Sequence, residues 1–495
     1  MKKKITIGLI IVIAFLTLSL LLLSRNVKSY NVSFDPLNGS EIFTVKTIEN
    51  KKVEMPKNPT RQGYKLLGWY YINGEEEVKW NFEENVVKSD IKLIAKWEQS
   101  LLELPVINID TQGVEINSKE EYTKMTFSMT NCEEPLVDIE GGIRLRGNST
   151  MGYAKKPYRI KFDKKQSLFG LEKAKSWVLL AEYLDPSALL NYTALTLGNA
   201  MPGLNFTPTP HKVNVYLNGE YIGLYTLCEQ VQENKGRMDI ELDEITSDMV
   251  QLRDFNFFIS MDSGVISDPT QVEGETYFYV QKYNKYFELK YPEKDQFVSD
   301  EQFRIFFNEL QDYVLYIMDL FNEKNIEKIK QEVNINSLID YSIIDLILGE
   351  QDHFWKSFNM YYTNTSSDEE NGKLSFGPIW DYDTSLNRSF TGIPNENFEI
   401  IDKMYYSNVF IQTVFEVPEF FQNLKTRYNL YTKPALTAYI NNYDQLVQSF
   451  DESLNVNHQV WYSKLSPSLT HDNVAVLKEY LVKRKSQLDE LWKLE

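Results

Sequence analysis

Apolar and polar positions alternate through the first hundred residues. YNVSFDP is followed by the turn LNGS and then by EIFTVKTI. MPKNPTRQGYKLLGWYY carries Pro and Gly around an aromatic strand, and in DIKLIAKW Ile91, Leu93 and Ala95 alternate with Lys92, Ile94 and Lys96. A period of two predicts strands with one buried face, so residues 30–98 are expected to form a small all-β module. Residues 99–104 read as a linker. The strand pattern resumes in LPVINIDT, YTKMTFSMT, GGIRLRGNST, KPYRIKF and SWVLLAEY, and PSALLNYTALTLGNAM interrupts it as a helical stretch. HKVNVYL and YIGLYTLCEQV flank Asn218-Gly219, a strong hairpin signal. Beyond about residue 298 the period changes. Phe303, Phe306, Leu310, Tyr313, Ile317 and Leu320 recur at three- and four-residue spacing, one stripe of a helix. INSLIDYSIIDLILGE is apolar nearly all round and predicts a buried helix. Asp472 to Trp492 predicts an amphipathic one, with Val474, Leu477, Leu481, Leu488 and Leu491 on one face.

The extreme N-terminus has no amphipathic period. Lys2, Lys3 and Lys4 precede an uncharged run from Ile5 to Ser24. Twenty helical residues rise about 30 Å, the thickness of a hydrocarbon core. A basic flank stays cytoplasmic, so the remainder of the chain is expected outside. No A-x-A site and no lipidated Cys follow the run. Residues 1–29 are therefore expected to be an uncleaved anchor, with a cleaved signal peptide and a secreted chain as the alternative.

Composition narrows the chemistry. The 495 residues carry 52 Lys+Arg against 70 Asp+Glu, a formal charge of −18. Phosphate neutralisation needs a cationic face, so a nucleic-acid partner is excluded. Two cysteines, Cys132 and Cys228, rule out a zinc ribbon or a disulfide framework, and four His leave little for a His-rich metal centre. Carboxylates remain, and these suit hard cations such as Mg²⁺.

Three segments could carry chemistry. RLRGNSTMGYAKKPYRIKF gathers Arg144, Arg146, Lys155, Lys156, Arg159 and Lys161 around a Gly-containing turn, a basic island in an acidic chain. Cations beside a close-approaching backbone suit a polyphosphate; a twisted hairpin with a solvated basic face would look the same. GEQDHFWKSFNMYY places Asp352 after the buried helix and Asn359 seven residues on. Such a pair can divide the orientation of a hydroxyl from ligation of a cation, or simply shape a turn. FGPIWDYDTSLN places Asp381 and Asp383 after an apolar strand ending in Trp380, as metal ligands or as turn formers.

The order of these segments is that of a protein kinase, although G-x-G-x-x-G, H-R-D and D-F-G are all missing. From the residues alone, an atypical kinase and a metal-dependent hydrolase both remain open. RLRGNST…KKPYRIKF, AEYLDPSALLNYTAL, VNVYLNGEYIGLYTLCEQV, DHFWKSFNMYY and IWDYD, in that order over about residues 104–390, resemble the spore-coat protein H (CotH) kinases. Residues 30–98 resemble the bacterial B-repeat (Listeria-Bacteroides repeat) through Val32, Phe34, Asp35, Pro56, Pro59, Thr60, Arg61, Gly63, Tyr64, Gly68, Trp69, Leu93, Ala95 and Trp97. The fold class expected from these resemblances is α+β. It comprises a two-lobed atypical protein-kinase-like fold, preceded by the β module and the membrane helix. The lobe to about residue 232 would be strand-rich and the lobe after it helical, with residues 391–495 a helical part of the same domain.

The resemblance implies transfer of the ATP γ-phosphoryl group to protein Ser or Thr with Mg²⁺ or Mn²⁺. Asp352 would be the catalytic Asp. Asp381 and Asn359 would be metal ligands, with Asp383 in support. Arg146 and Asn148 would lie in the nucleotide-covering turn, Lys156 or Lys161 would reach phosphate, and Glu229 would lie near the adenine or the hinge. The seven-residue spacing to Asn359 and the TNTSSDEENGKLS segment depart from the family pattern. The B-repeat resemblance implies a spacer or adhesion module with a cell-surface partner. Two other readings compete. One is a catalytically inactive CotH-like surface binding or structural protein. The other is a hydrolase using Asp352 with Asp381, which leaves the basic turn unexplained.

Overall fold

The computed structural model describes residues 28–37, 41–56, 59, 64–74, 76–99, 104–147, 149–242, 244–268, 271–350, 352–364, 371–386, 408–462 and 468–494. The chain divides into two compact units, Met1–Leu101 and Leu102–Glu495. Among the described residues no helix is long and apolar enough to cross a membrane. The Ile5–Ser24 run expected to do so lies outside them.

The first unit is a five-stranded sheet. Its strands are β1 (Ser29–Asp35), β2 (Phe43–Ile48), β3 (Tyr64–Asn73), β4 (Glu76–Lys79) and β5 (Ile91–Gln99), in the order β2-β1-β5-β3-β4. The alternation read from the sequence decides its buried face: Val32, Phe34, Leu93 and Ala95 are all inside, with Trp69 and Trp80. The Phe34 ring stacks on Phe43 at 4.9 Å and meets Trp69 edge-on at 5.0 Å. The β3–β5 register shifts between Leu66 and Gly68, where φ is +132° and a Cβ would lie 2.6 Å from Lys79 Cε, so the bulge requires glycine.

The second unit begins with a closed barrel of β6 (Val106–Asp110), β7 (Thr123–Thr130), β8 (Leu136–Leu145), β9 (Tyr158–Gln166), β10 (Ala174–Leu180), β11 (His211–Leu217) and β12 (Glu220–Glu229). The strand order is β10-β12-β11-β6-β7-β8-β9. All pairings are antiparallel except β6 with β11. Ile107, Phe127, Ile160, Phe162, Trp177 and Val215 belong to its core. Asn218 and Gly219 both have positive φ, +51° and +84°, as the two-residue hairpin turn requires. Cys132 and Cys228 are free thiols, so no disulfide joins them.

Helix α1 (Leu190–Gly198) follows the barrel's fifth strand and is shorter than the apolar run suggests. Asp185 prepares its start: one carboxylate oxygen accepts from Leu189 N at 2.7 Å and Leu190 N at 2.8 Å. The chain after residue 232 is not wholly helical. A second antiparallel sheet, β14-β15-β13-β16-β17, runs through it, built from β13 (Phe257–Met261), β14 (Tyr277–Val280), β15 (Lys285–Tyr291), β16 (Phe358–Tyr362) and β17 (Leu374–Phe376). Every residue of β13 and β16 is buried. A strand covered on both faces shows no alternation, which is why the pattern missed them.

The helices are α2 (Asp300–Asn322), α3 (Ile326–Glu332), α4 (Ile335–Leu348), α5 (Val409–Glu416), α6 (Pro418–Arg427), α7 (Lys433–Gln448), α8 (Asp451–Trp461) and α9 (Ser468–Leu491). The α2 stripe is buried as expected, apart from a half-exposed Tyr313. In α4, twelve residues are buried, so the helix lies in the interior. The Asp340 carboxylate in α4 is paired with Arg427 at 2.6 Å and accepts from Gly203 N at 2.7 Å. In α9, Leu477, Leu481 and Leu488 are buried as expected, but Leu491 is exposed and Trp492 takes the inward place. Helix α8 returns to the barrel. Asn457 Oδ1 accepts from Leu224 N at 3.1 Å, and Trp461 Nε1 donates to Ile222 O at 3.0 Å. The C-terminal part is thereby strapped to β12.

Candidate active site

Three segments far apart in sequence meet between the barrel and the helices. The first is the β8–β9 connection. Arg146 N donates to Pro157 O at 3.2 Å, and Gly147, with φ +84°, is kept free of a Cβ by Thr150 Oγ1 only 2.0 Å from where one would lie. This turn sets the Arg146 guanidinium 5.1 Å from the Trp380 ring centroid. Burial lowers the pKa of Arg146, and the charges of Asp381 and Asp383 oppose that shift.

The second segment follows α4. Gly349, in the left-handed conformation at φ +61°, ends the helix. Glu350 is fully buried. Its Oε1 accepts from Asp352 N at 2.9 Å and from Thr384 Oγ1 at 2.8 Å, and its Oε2 accepts from Ser385 Oγ at 2.8 Å. Burial pushes its pKa up to about 7, against the lowering effect of His353. Asp352 opens a single turn, and its Oδ2 pairs with Lys356 Nζ at 2.5 Å. Burial alone would lower the Lys356 pKa, but Asp352, Asp381 and Asp383 hold it above the ordinary value.

The third segment follows β17. Asp381 has φ +70°, a strained backbone for a residue with a side chain. Its Oδ2 accepts from Ser357 Oγ at 3.0 Å. Both neighbours of Asp381 are fastened. Trp380 O is 2.8 Å from His353 Nε2, Tyr382 N donates to Asn191 Oδ1 at 2.8 Å, and Tyr382 OH donates to Asp345 Oδ1 at 2.6 Å. His353 Nδ1 lies 2.8 Å from the same Asp345 oxygen. A carbonyl and a carboxylate can only accept, so both ring nitrogens must donate and the ring is an imidazolium. Burial works against that charge, but Asp345, Glu350 and the Trp380 carbonyl raise the His353 pKa to about 9. Asp383 is pushed well above the carboxylate range, first by burial and then by Asp381, Glu350, Glu182 and Asp352.

Arg146, Asp352, Asp381 and Asp383 are therefore brought together. Asn359 stands behind them in β16, buried, and its Nδ2 donates to Pro378 O at 2.8 Å, which braces the third segment. Glu229 ends β12 and accepts from Thr209 N at 2.6 Å. The two candidate lysines lie on the β8–β9 connection and on β9. Lys156 Nζ donates to Met151 O at 2.6 Å, and Lys161 is exposed with its ammonium 5.8 Å from the Tyr122 ring. Asn148 lies outside the described residues.

The cations that bear on the carboxylates are instead Arg146, Lys356 and Lys290, the last held 2.7 Å from Glu288 and within the field of Asp262 and Asp381. Lys356, Ser357, Glu350 and His353 were all present in GEQDHFWKSFNMYY. The i,i+4 spacing of Asp352 and Lys356 was the available signal. Glu182 and Lys212 had none. Lys212 Nζ donates to Thr226 Oγ1 at 2.7 Å, Thr226 Oγ1 donates to Glu182 Oε1 at 2.9 Å, and Asn191 Nδ2 donates to Glu182 Oε2 at 3.0 Å. This chain of bonds runs from the barrel to Tyr382.

Among the described residues no three His, Cys, Asp or Glu side chains form a ready metal-binding group. Mg²⁺ usually takes one or two carboxylates plus phosphate oxygens and water, so the adjacent Asp381 and Asp383 fit it.

The description CotH kinase protein matches residues 143–488, well over half of the chain. The chain belongs to the CotH family. The Listeria-Bacteroides repeat domain matches residues 30–96, nearly all of the first sheet. Two curated proteins of Evansella cellulosilytica are similar over shorter stretches. One, provisionally named a Gly-rich membrane protein, is 26% identical over 122 residues, which is 24% of this chain and 13% of that protein. The other, provisionally named a membrane protein, is 30% identical over 114 residues, 23% and 16% respectively. The aligned stretches thus span under a fifth of either relative.

Proposed function

We propose that this CotH-family chain is an atypical protein kinase that transfers the ATP γ-phosphoryl group to Ser or Thr of a protein. The observation that carries the reading is the meeting of Asp352, Asp381 and Asp383 with Arg146 and Lys356 from three separate segments. Asp381 and Asp383 would hold Mg²⁺ or Mn²⁺, with the oxygen of Asn359 as a further donor. That cation would supply charge neutralisation at the phosphates. Arg146, on the turn over the site, would bind phosphate oxygens, and Glu229 would border the nucleotide base. Asp352 would orient the acceptor hydroxyl, and Lys356, ion-paired with it, would neutralise charge that develops on the transferred group. Positioning and electrostatics supply most of the rate in this chemistry.

The protein would act outside the cell, tethered by its N-terminal apolar run, with the repeat as spacer or contact to a surface partner. The provisional names of the two Evansella relatives support a membrane setting. Full-length protein with Mg²⁺ or Mn²⁺ and γ-labelled ATP should label itself or a Ser-containing acceptor. Equal labelling by Asp381→Ala defeats the assignment.

The second reading is an inactive surface-binding protein: burial and its acidic neighbours push Asp383 well above the carboxylate range, which opposes the charge a metal ligand carries. A thermal shift separates the two. A nucleotide at one hundred times its Kd stabilises a protein by about 2.7 kcal/mol, whereas an inactive chain without the site shows no shift with Mg²⁺ and ATP.

A further inference from the structure

Glu350 bonds to both of the segments that carry the proposed chemistry. It is fully buried directly after the left-handed cap of α4. One oxygen holds Asp352 N at 2.9 Å and Thr384 Oγ1 at 2.8 Å, and the other holds Ser385 Oγ at 2.8 Å. The two segments are thus joined through a single carboxylate. Asp381 has fastenings of its own beside it, through Ser357, His353 and Asn191. The turn that carries Asp352 is linked to the Asp381 side of the Asp381–Ser385 segment by His353 with Trp380 O and Ser357 with Asp381. Asp352 itself pairs through its side chain with Lys356, four residues on. The bonds of Glu350 are the ties that run from the Asp352 backbone to Thr384 and Ser385, on the far side of Asp383.

We propose that Glu350 is a positioning residue that sets Asp352 at its working distance from Asp381 and Asp383. The inference rests on the kinase reading above for its consequence, and on geometry alone for the tie itself. It predicts a specific split. Removing the tie should disturb placement of the acceptor hydroxyl and leave nucleotide binding, which depends on the separately held Asp381, largely intact.

The test uses the full chain with Glu350→Ala and Glu350→Gln. Phosphotransfer is followed as kcat and as KM for ATP, and folding is checked by the melting temperature. Misplacement of a reacting group by about 1 Å costs up to about a hundredfold in rate. Glu350→Ala is expected to lower kcat at least about tenfold while KM for ATP stays within about threefold. Glu350→Gln keeps an oxygen for Asp352 N and Thr384 and is expected to recover most of that loss. Unchanged kcat in Glu350→Ala overturns the proposal, as do equal losses in both variants or a loss confined to KM for ATP.

Amide hydrogen exchange separates failure of the tie from failure of the kinase reading. In Glu350→Ala, exchange should quicken in peptides covering 352–358 and 382–386 while α4 stays protected. This holds whether or not the wild type transfers phosphate. Unaltered exchange in those peptides, or equally faster exchange throughout α4, also overturns it. If Glu350→Ala does not fold, Glu350→Gln alone decides. Near-wild-type kcat with the two peptides still protected supports the proposal, and loss of both overturns it.

Discussion

The imidazolium of His353 can be titrated away without changing any residue, and the geometry states what should follow. The ring is buried between the Asp345 carboxylate and the Trp380 carbonyl, with its pKa raised from 6.5 to about 9. Folding therefore favours the protonated form. Its contribution is complete below pH 6.5 and disappears as the pH climbs through 9. The gap between the two values corresponds to about 3 kcal/mol. The direct assay is a pH titration of the full chain labelled with ¹³C in its histidines. There are four, and the His353 signal is the one lost in His353→Gln. That signal should remain at its charged position through pH 8 and turn over near pH 9. Stability should fall over the same window, and most of that fall should vanish when His353 is replaced. Because Glu350 interacts with this charge, the stability comparison is made with Glu350→Gln in both arms. A midpoint at or below 6.5 would refute the reasoning, since a neutral ring could not donate to both acceptors at once.

Two further outcomes follow from packing. Gly223 has φ +125°, and a Cβ there would lie 2.6 Å from Asn457 Oδ1, 2.8 Å from Lys155 Cε and 2.9 Å from Trp461 Nε1. Gly223→Ala should push α8 off β12 and destabilise the second unit by about 2–4 kcal/mol, read as a lower denaturation midpoint; an unchanged midpoint would contradict the strap. Burial raises the pKa of both thiols, and Cys228 is fully enclosed whereas Cys132 is half-exposed. Maleimide should therefore label Cys132 slowly at neutral pH and faster as the pH rises, and Cys228 only after unfolding, as judged by peptide mass.

Much of the protein is legible in local pattern. The period-two segments of the first sheet decided which residues enter its core, because one solvated face leaves an alternating record. Asn218-Gly219 fixed the β11–β12 hairpin, because two successive positive φ values admit few other pairs. The α2 stripe and the apolar α4 declared their burial in the same way, and the motifs around Arg146, Asp352 and Asp381 announced the family. Strands β13 and β16 were illegible because burial on both faces removes the alternation. The barrel's closure depends on the β6–β11 pairing, between strands about a hundred residues apart, which no local pattern encodes. Which cations face the carboxylates was likewise a matter for the folded chain. Lys156 and Lys161 had the right neighbours in sequence; in the fold one ammonium donates to Met151 O and the other lies 5.8 Å from the Tyr122 ring. Arg146 and Lys356 face inward, and Glu350, His353 and Asn191 hold the segments in place. Charge and hydrogen bonding act through space at distances of a few ångströms. A linear sequence records which groups are available for such contacts, and the fold determines which of them meet.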